Sequence, residues 1–106
     1  MNNLNSIIIE GYILSVEIGN VGAFLTIEAK RDYKTFDGSY ETEISEFEVR
    51  CYGNMAASVE RYGKINRGIR VFGRLKQEKY TDADGKQCSK VFVVGEHIEY
   101  KPLVKN

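Results

Sequence analysis

The sequence predicts an all-β domain with one short helix, a small five-stranded Greek-key barrel in which the helix lies between strands 3 and 4. Three observations carry this expectation. Apolar and β-branched residues alternate with polar ones over five segments, short turns rich in Gly, Asn and Asp separate several of them, and a single segment has helical spacing. At 106 residues and 42% hydrophobic, the chain has room for one modest core. The domain is expected over residues 1–100, with 101–106 as a short tail whose Pro102 cannot continue a ladder.

Ser6 to Ile18 and Ala23 to Lys30 are rich in Ile, Val, Leu and Thr and read as the first two strands, joined by the turn Gly19-Asn20-Val21-Gly22. A polar hairpin centred on Asp37-Gly38 leads into a third strand, where Phe47 to Tyr52 alternate strictly. Asn54 is a candidate helix cap, Met55, Val59 and Tyr62 recur at helical spacing, and Gly63 fits a stop. After the Asn66-Arg67-Gly68 turn, Ile69 to Lys76 alternate again and the strand runs on to Tyr80, and Val91 to Tyr100 form the last strand. This order suits a barrel of the oligonucleotide/oligosaccharide-binding type. A five-stranded sheet with one packed helix and no such role has the same order.

Composition excludes several classes. The longest purely aliphatic run is Ile7-Ile8-Ile9, and the N-terminus has no basic region ahead of an apolar stretch, so a soluble, intracellular protein is expected. Cys51 and Cys88 are expected to be reduced, and with the lone His97 they cannot complete a structural zinc site. There is no G-x-S-x-G, phosphate-binding glycine loop or H-E-x-x-H, so neither an enzyme nor a cofactor is expected. The 15 basic and 15 acidic residues cancel, but residues 1–60 hold four Lys/Arg against ten Asp/Glu and residues 61–106 hold eleven against five. One region can therefore be basic on a neutral protein.

Glu78 to Lys86, EKYTDADGK, offers two readings: part of a calcium loop, or the tip of a β-hairpin. Placing Asp82 and Asp84 at loop positions three and five puts Tyr80 at position one and Val91 at position twelve, where acidic ligands are required. The hairpin reading survives, and period two puts Arg74, Lys76, Glu78 and Tyr80 on one strand face. Cations beside an aromatic suit single-stranded nucleic acid, because every base has a π-face and the backbone is polyanionic. Lys30-Arg31-Asp32-Tyr33-Lys34 is a second basic and aromatic cluster, and Arg50 with Tyr52 is a third.

From about Leu4 to Tyr100 the sequence resembles the bacterial single-stranded DNA-binding protein family. The likeness rests on Leu4 to Gly11 as the opening strand, Lys30-Arg31-Asp32-Tyr33, Phe47 to Gly53 running into Asn54-Met55-Ala56, Arg67-Gly68, Gly73-Arg74-Leu75-Lys76, and the hairpin Lys79 to Gly85. The resemblance implies a sequence-nonspecific single-stranded DNA-binding protein of replication, recombination or repair, cytoplasmic and nucleoid-associated, assembled as a homotetramer or homodimer. It implies that Tyr33, Tyr52 and Tyr80 stack bases, while Arg31, Lys34, Arg50, Arg67, Arg74, Lys76 and Lys79 meet phosphates. Strict alternation turns Phe47 inward, as core or interface, unless a bulge intervenes. Tyr in place of the family's frequent Trp, and the short first loop, imply weaker binding per base. The family commonly ends in an acidic tip that recruits replication proteins, whereas this sequence ends in a Lys-containing tail. A primosome-type dimeric adaptor of the same fold and a barrel that binds only proteins are the alternatives.

Calcium and zinc are expected to change neither the melting temperature nor nucleic-acid binding. Tight stoichiometric uptake of either ion, measured by calorimetry, would overturn the hairpin reading of Asp82 and Asp84.

Overall fold

The computed structural model describes residues 1–103. Six elements follow one another: β1 (Ile7–Ile18), β2 (Ala23–Lys34), β3 (Tyr40–Cys51), α1 (Asn54–Tyr62), β4 (Gly68–Thr81) and β5 (Gln87–Tyr100). The strands close a barrel in the order β1-β2-β3-β5-β4, the five-stranded architecture expected, with its helix between the third and fourth strands. Neighbours run antiparallel except β3 and β5, whose parallel contact closes the barrel through two Cα pairs, Val49 with Val93 and Arg50 with Val94.

The alternation of the sequence becomes the inside and outside of the barrel. Ile13, Leu25, Ile27, Val49, Cys51, Ile69, Val71, Val93 and Ile98 fill the core, and Val59 of α1 packs among them. Burial of this kind contributes roughly 25 cal/mol per Å² of apolar surface and is the main force holding the strands together. Both cysteines are free, and burial pushes the Cys51 thiol up to about 11.

Several boundaries differ from the expectation. β2 runs on to Lys34 and β3 begins at Tyr40, with an unbroken register from Ala23–Cys51 to Lys34–Tyr40. The outer arms of this hairpin lie beyond the core and carry charged or polar residues on both faces, so no hydrophobic period marks them. Cross-strand bonds from Thr42 Oγ1 to Asp32 (2.6 Å) and from Tyr33 OH to Glu41 (3.0 Å) hold them instead. β5 likewise starts at Gln87 rather than Val91. The helix is capped not by the Asn54 side chain but by Gly53, at φ 56°, and Asn54 is the first helical residue. The chain turns there into the left-handed region, which glycine enters without steric cost. Because no bulge interrupts β2 and β3, Phe47 stands opposite Ile27 on the core side, yet it remains 39% exposed where the hairpin leaves the barrel. Of the expected tail, residues 104–106 lie outside the described residues.

β4 serves two structures. Up to Gly73 it pairs with β1 as well as β5 and forms barrel wall; beyond Gly73 it pairs with β5 alone, as a projecting hairpin. The ladder shifts between Phe72 and Gly73, and a Cβ at Gly73 would stand 2.0 Å from the Val94 carbonyl oxygen. Overpacking of this kind costs about 1–3 kcal/mol. Gly73→Ala is therefore expected to lower the melting temperature by roughly 5–20 °C. Gly19→Ala, whose Cβ would meet nothing closer than 3.6 Å, should leave it nearly unchanged. An unaltered melting curve for Gly73→Ala would contradict the close approach.

Candidate nucleic-acid interface

The outer side chains of β3, β5 and β4 form one continuous face. In the register of the ladders, Arg50 lies beside Val94, Val94 beside Arg74, Phe92 beside Lys76, Lys90 beside Glu78, and Cys88 beside Tyr80. Tyr52 extends the same row past the end of β3, where its ring lies against Gly22 in the first turn; a Cβ at Gly22 would stand 3.0 Å from the ring. Of the ten residues singled out by sequence, the fold brings Arg50, Tyr52, Arg74, Lys76 and Tyr80 onto this face. Tyr52 and Tyr80 are each 43% exposed, so their rings are held by the sheet and still open to a ligand.

Arg50 is the unexpected member. It points away from the core, as alternation requires, yet it is only 8% exposed. Its guanidinium carbon lies 3.9 Å from the centre of the Phe92 ring and 4.9 Å from that of Phe24. Its Nε donates to Glu48 Oε1 at 3.2 Å and its Nη1 to Glu78 Oε2 at 3.0 Å. Burial alone would lower the guanidinium pKa, but the hydrogen bonds and charges of Glu48 and Glu78 reverse this and raise it. Glu78 also reaches Lys90 Nζ at 4.0 Å, and that ammonium sits 5.9 Å from the centre of the Tyr80 ring. Arg74 pairs with Glu96 at 3.4 Å.

The other candidates lie elsewhere. Tyr33 and Arg31 occupy the opposite face of the β2–β3 hairpin, beside Glu41 and Glu43, and the hydrogen bond to Glu41 is the main cause raising the Tyr33 phenol pKa. Lys34 returns to the first face, 5.9 Å from the ring of Tyr40. Lys79 stands on the far side of the β4–β5 hairpin, beside Ser89. Arg67 immediately precedes β4, whose far end carries Tyr80. It donates to the Lys101 and Tyr62 carbonyls at 3.1 and 3.2 Å and stacks on Tyr100 at 5.2 Å. These bonds tie the end of α1 to both strands.

The two projecting hairpins differ in charge. Residues 28–48 carry three Lys/Arg against seven Asp/Glu, whereas residues 74–90 carry five against three. A polyanion is attracted to the second arm and repelled by the first. The tip of that second arm is built by Asp82, whose carboxylate accepts from the Asp84 and Lys86 amides, both at 2.9 Å. Those bonds lower its pKa, the Lys86 amide contributing most.

Sequence reasoning missed Phe24, Phe92 and Lys90, and it placed Glu78 on this face without a role. Period two along β5 puts Lys90, Phe92 and Val94 on one side, which was the available signal. No pattern in one strand reveals that a guanidinium from another covers them.

Solved structures share this fold. The single-stranded DNA-binding protein of Plasmodium falciparum, described in complex with single-stranded DNA, superposes with a TM-score of 0.84 over 96% of this chain and 98% of its own, at 13% identity. The small single-stranded DNA-binding protein of Mycoplasma pneumoniae does so with a TM-score of 0.72 over 98% of this chain and 99% of its own, at 20% identity. In sequence, the single-stranded DNA-binding protein of Aquifex aeolicus is 36% identical over 74 residues, 69% of this chain and 49% of that protein. Single-stranded DNA-binding protein 1 of Clostridium acetobutylicum is 33% identical over 82 residues, 77% of this chain and 73% of that protein. The chain spans about half the length of the Aquifex relative. Residues 5–101, which include every strand and every residue of the face described above, match the profile of the single-strand binding protein family, and the chain belongs to that family.

Proposed function

We propose that this chain binds single-stranded DNA without sequence preference, along the outer face of β3, β5 and β4. One observation carries the reading: two half-exposed tyrosines, Tyr52 and Tyr80, stand on one face with Arg74, Lys76 and Lys90 beside or between them. Aromatic rings that are fixed but open give bases a surface on which any base stacks, and the cations follow the phosphates. Tyr52 and Tyr80 are the stacking residues of this path. Arg50, Arg74 and Lys76 are its phosphate contacts, while Lys79, Tyr33, Arg31 and Lys34, which the fold places off this row, would meet only a strand that wraps around the hairpin arms. Arg67, whose guanidinium is committed to backbone carbonyls, serves the fold more than the strand.

The wider role follows from family membership and belongs to the same proposal: protection of single strands during replication, recombination or repair, without catalysis, in a homotetramer or homodimer. Leu4, Ile8 and Tyr12 are exposed before and along β1, and they are the apolar surface that contact with a second copy would cover. Contacts with replication proteins are a further part of the proposal. No helix among the described residues is long and apolar enough to cross a membrane.

Tyr80 gives the sharpest test. Stacking on an aromatic is worth roughly 1–3 kcal/mol per base, so Tyr80→Ala should weaken oligo-dT binding by about one to two powers of ten. Tyr80→Phe should bind as the parent does, because stacking uses the ring and not the hydroxyl. The melting temperature of both variants should stay near that of the parent, since Tyr80 sits by a hairpin tip outside the core. Affinity should also fall with salt, with a log-log slope of about −0.7 per phosphate neutralised. Unchanged affinity in folded Tyr80→Ala, or a flat salt response, would remove the proposed path.

A further inference from the structure

The face proposed for DNA is already occupied by the protein's own side chains. Arg50, a planar cation, fills the space between the Phe24 and Phe92 rings, where a flat group can stack. Lys90 stands over the ring of Tyr80. Both cations converge on one carboxylate, since Glu78 Oε2 accepts from Arg50 at 3.0 Å and Glu78 Oε1 lies 4.0 Å from Lys90. Glu78 sits on β4 between Lys76 and Tyr80 by period two, inside the row of groups that would meet a strand.

A carboxylate is a poor neighbour for a polyanion. Its presence in this row needs an explanation that a solvated strand edge does not give, because its bonds reach a side chain that is nearly buried. Taking single-stranded DNA as the ligand, we propose that Glu78 is an intramolecular stand-in for a phosphate, holding Arg50 on Phe24 and Phe92 and Lys90 on Tyr80 until a DNA strand displaces it. Glu48, 3.2 Å from Arg50 Nε, is a second anchor on the guanidinium. When the strand arrives, a phosphate takes the place of Glu78 between Arg50 and Lys90. Lys90 then leaves the ring of Tyr80 to a base. The exchange trades one anion for another, so each of these cations contributes less net attraction than a free one would. The device sets affinity below the ceiling that the same aromatics and cations could reach, and it favours release.

This arrangement predicts a substitution that tightens binding. Glu78→Gln keeps the shape and an oxygen acceptor for Arg50 but removes the charge. It should bind oligo-dT about threefold to tenfold more tightly at low salt, on the scale of one or two exposed ion pairs. Its log-log salt slope should be steeper by up to about 1.4, since two cations become available to phosphates at roughly 0.7 each. Glu99→Gln removes the same unit charge from the other end of β5, where Glu99 pairs with Arg70 and His97, and should leave affinity and slope close to those of the parent. Glu48→Gln, which loosens Arg50 alone, should steepen the slope by no more than about 0.7, and it decides the matter if Glu78→Gln does not fold. A Glu78→Gln variant that is folded and binds no better than the parent, or a Glu99→Gln variant with the same gain, would overturn the assignment. A parent protein that does not bind oligo-dT is a different result. It removes the proposed function, and the Glu78 assignment with it.

Discussion

The barrel closes where β3 and β5 run parallel, and that closure is the narrowest seam in the fold, two paired positions long. Side chains cover it on both sides. Inside, Val49 and Val93 meet in the core. Outside, Arg50 lies across the seam with its guanidinium against Phe92 of β5 and Phe24 of β2, and an ion pair carries it on to Glu78 of β4. One side chain therefore links four strands over the surface on which the two exposed tyrosines stand. Cation–π contacts of a desolvated arginine contribute about 2 kcal/mol or more at favourable sites, and a buried charge that lost its carboxylates would cost more than that. The seam and the site are one construction.

This dependence explains how a protein of zero net charge can be read as a nucleic-acid binder. Charge is sorted by hairpin and not by total: the β2–β3 arms are acidic, the β4–β5 arms basic, and the barrel holds them apart. The bend of β4 at Gly73 sends the basic arm away from the wall, so that Tyr80 and its neighbouring lysines project as a finger while Tyr52 stays on the barrel beside the first turn. A strand lying along β3, β5 and β4 would meet Tyr52 on the barrel at one end of this path and Tyr80 on the projecting hairpin at the other.

The fold was legible wherever a residue's neighbours in sequence predict its neighbours in space. Alternation in Phe47 to Tyr52 separated Val49 and Cys51 from Glu48, Arg50 and Tyr52 because a pleated strand admits no other division. Of the helical stripe Met55, Val59 and Tyr62, Val59 is buried in the core and Met55 packs against it, whereas Tyr62 is 45% exposed. The hairpin arms from Arg31 to Glu46 were not legible as strands, since their pairing rests on the backbone and on bonds such as Thr42 to Asp32, which leave no hydrophobic period. The helix cap was missed because Asn54 has the right chemistry for that role, while the sharp turn after Tyr52 calls for a residue able to take positive φ one position earlier. For the candidate site, Tyr52, Tyr80, Arg74 and Lys76 could be placed on exposed faces by period two. That Arg50 is covered in the free protein depends on Phe24, Phe92 and Glu78, three residues on three other strands, and that convergence exists only after folding.

The proposed path takes a single strand of DNA across the outer face of β3, β5 and β4. Photochemical cross-linking of the intact protein to oligo-dT, followed by mass mapping of the modified peptides, tests it most directly. Adducts are expected in the peptides that carry Tyr52 and Tyr80, both competed away by unlabelled oligo-dT. Adducts confined to the outer face of β1 around Tyr12, or to α1 around Tyr62, would contradict it.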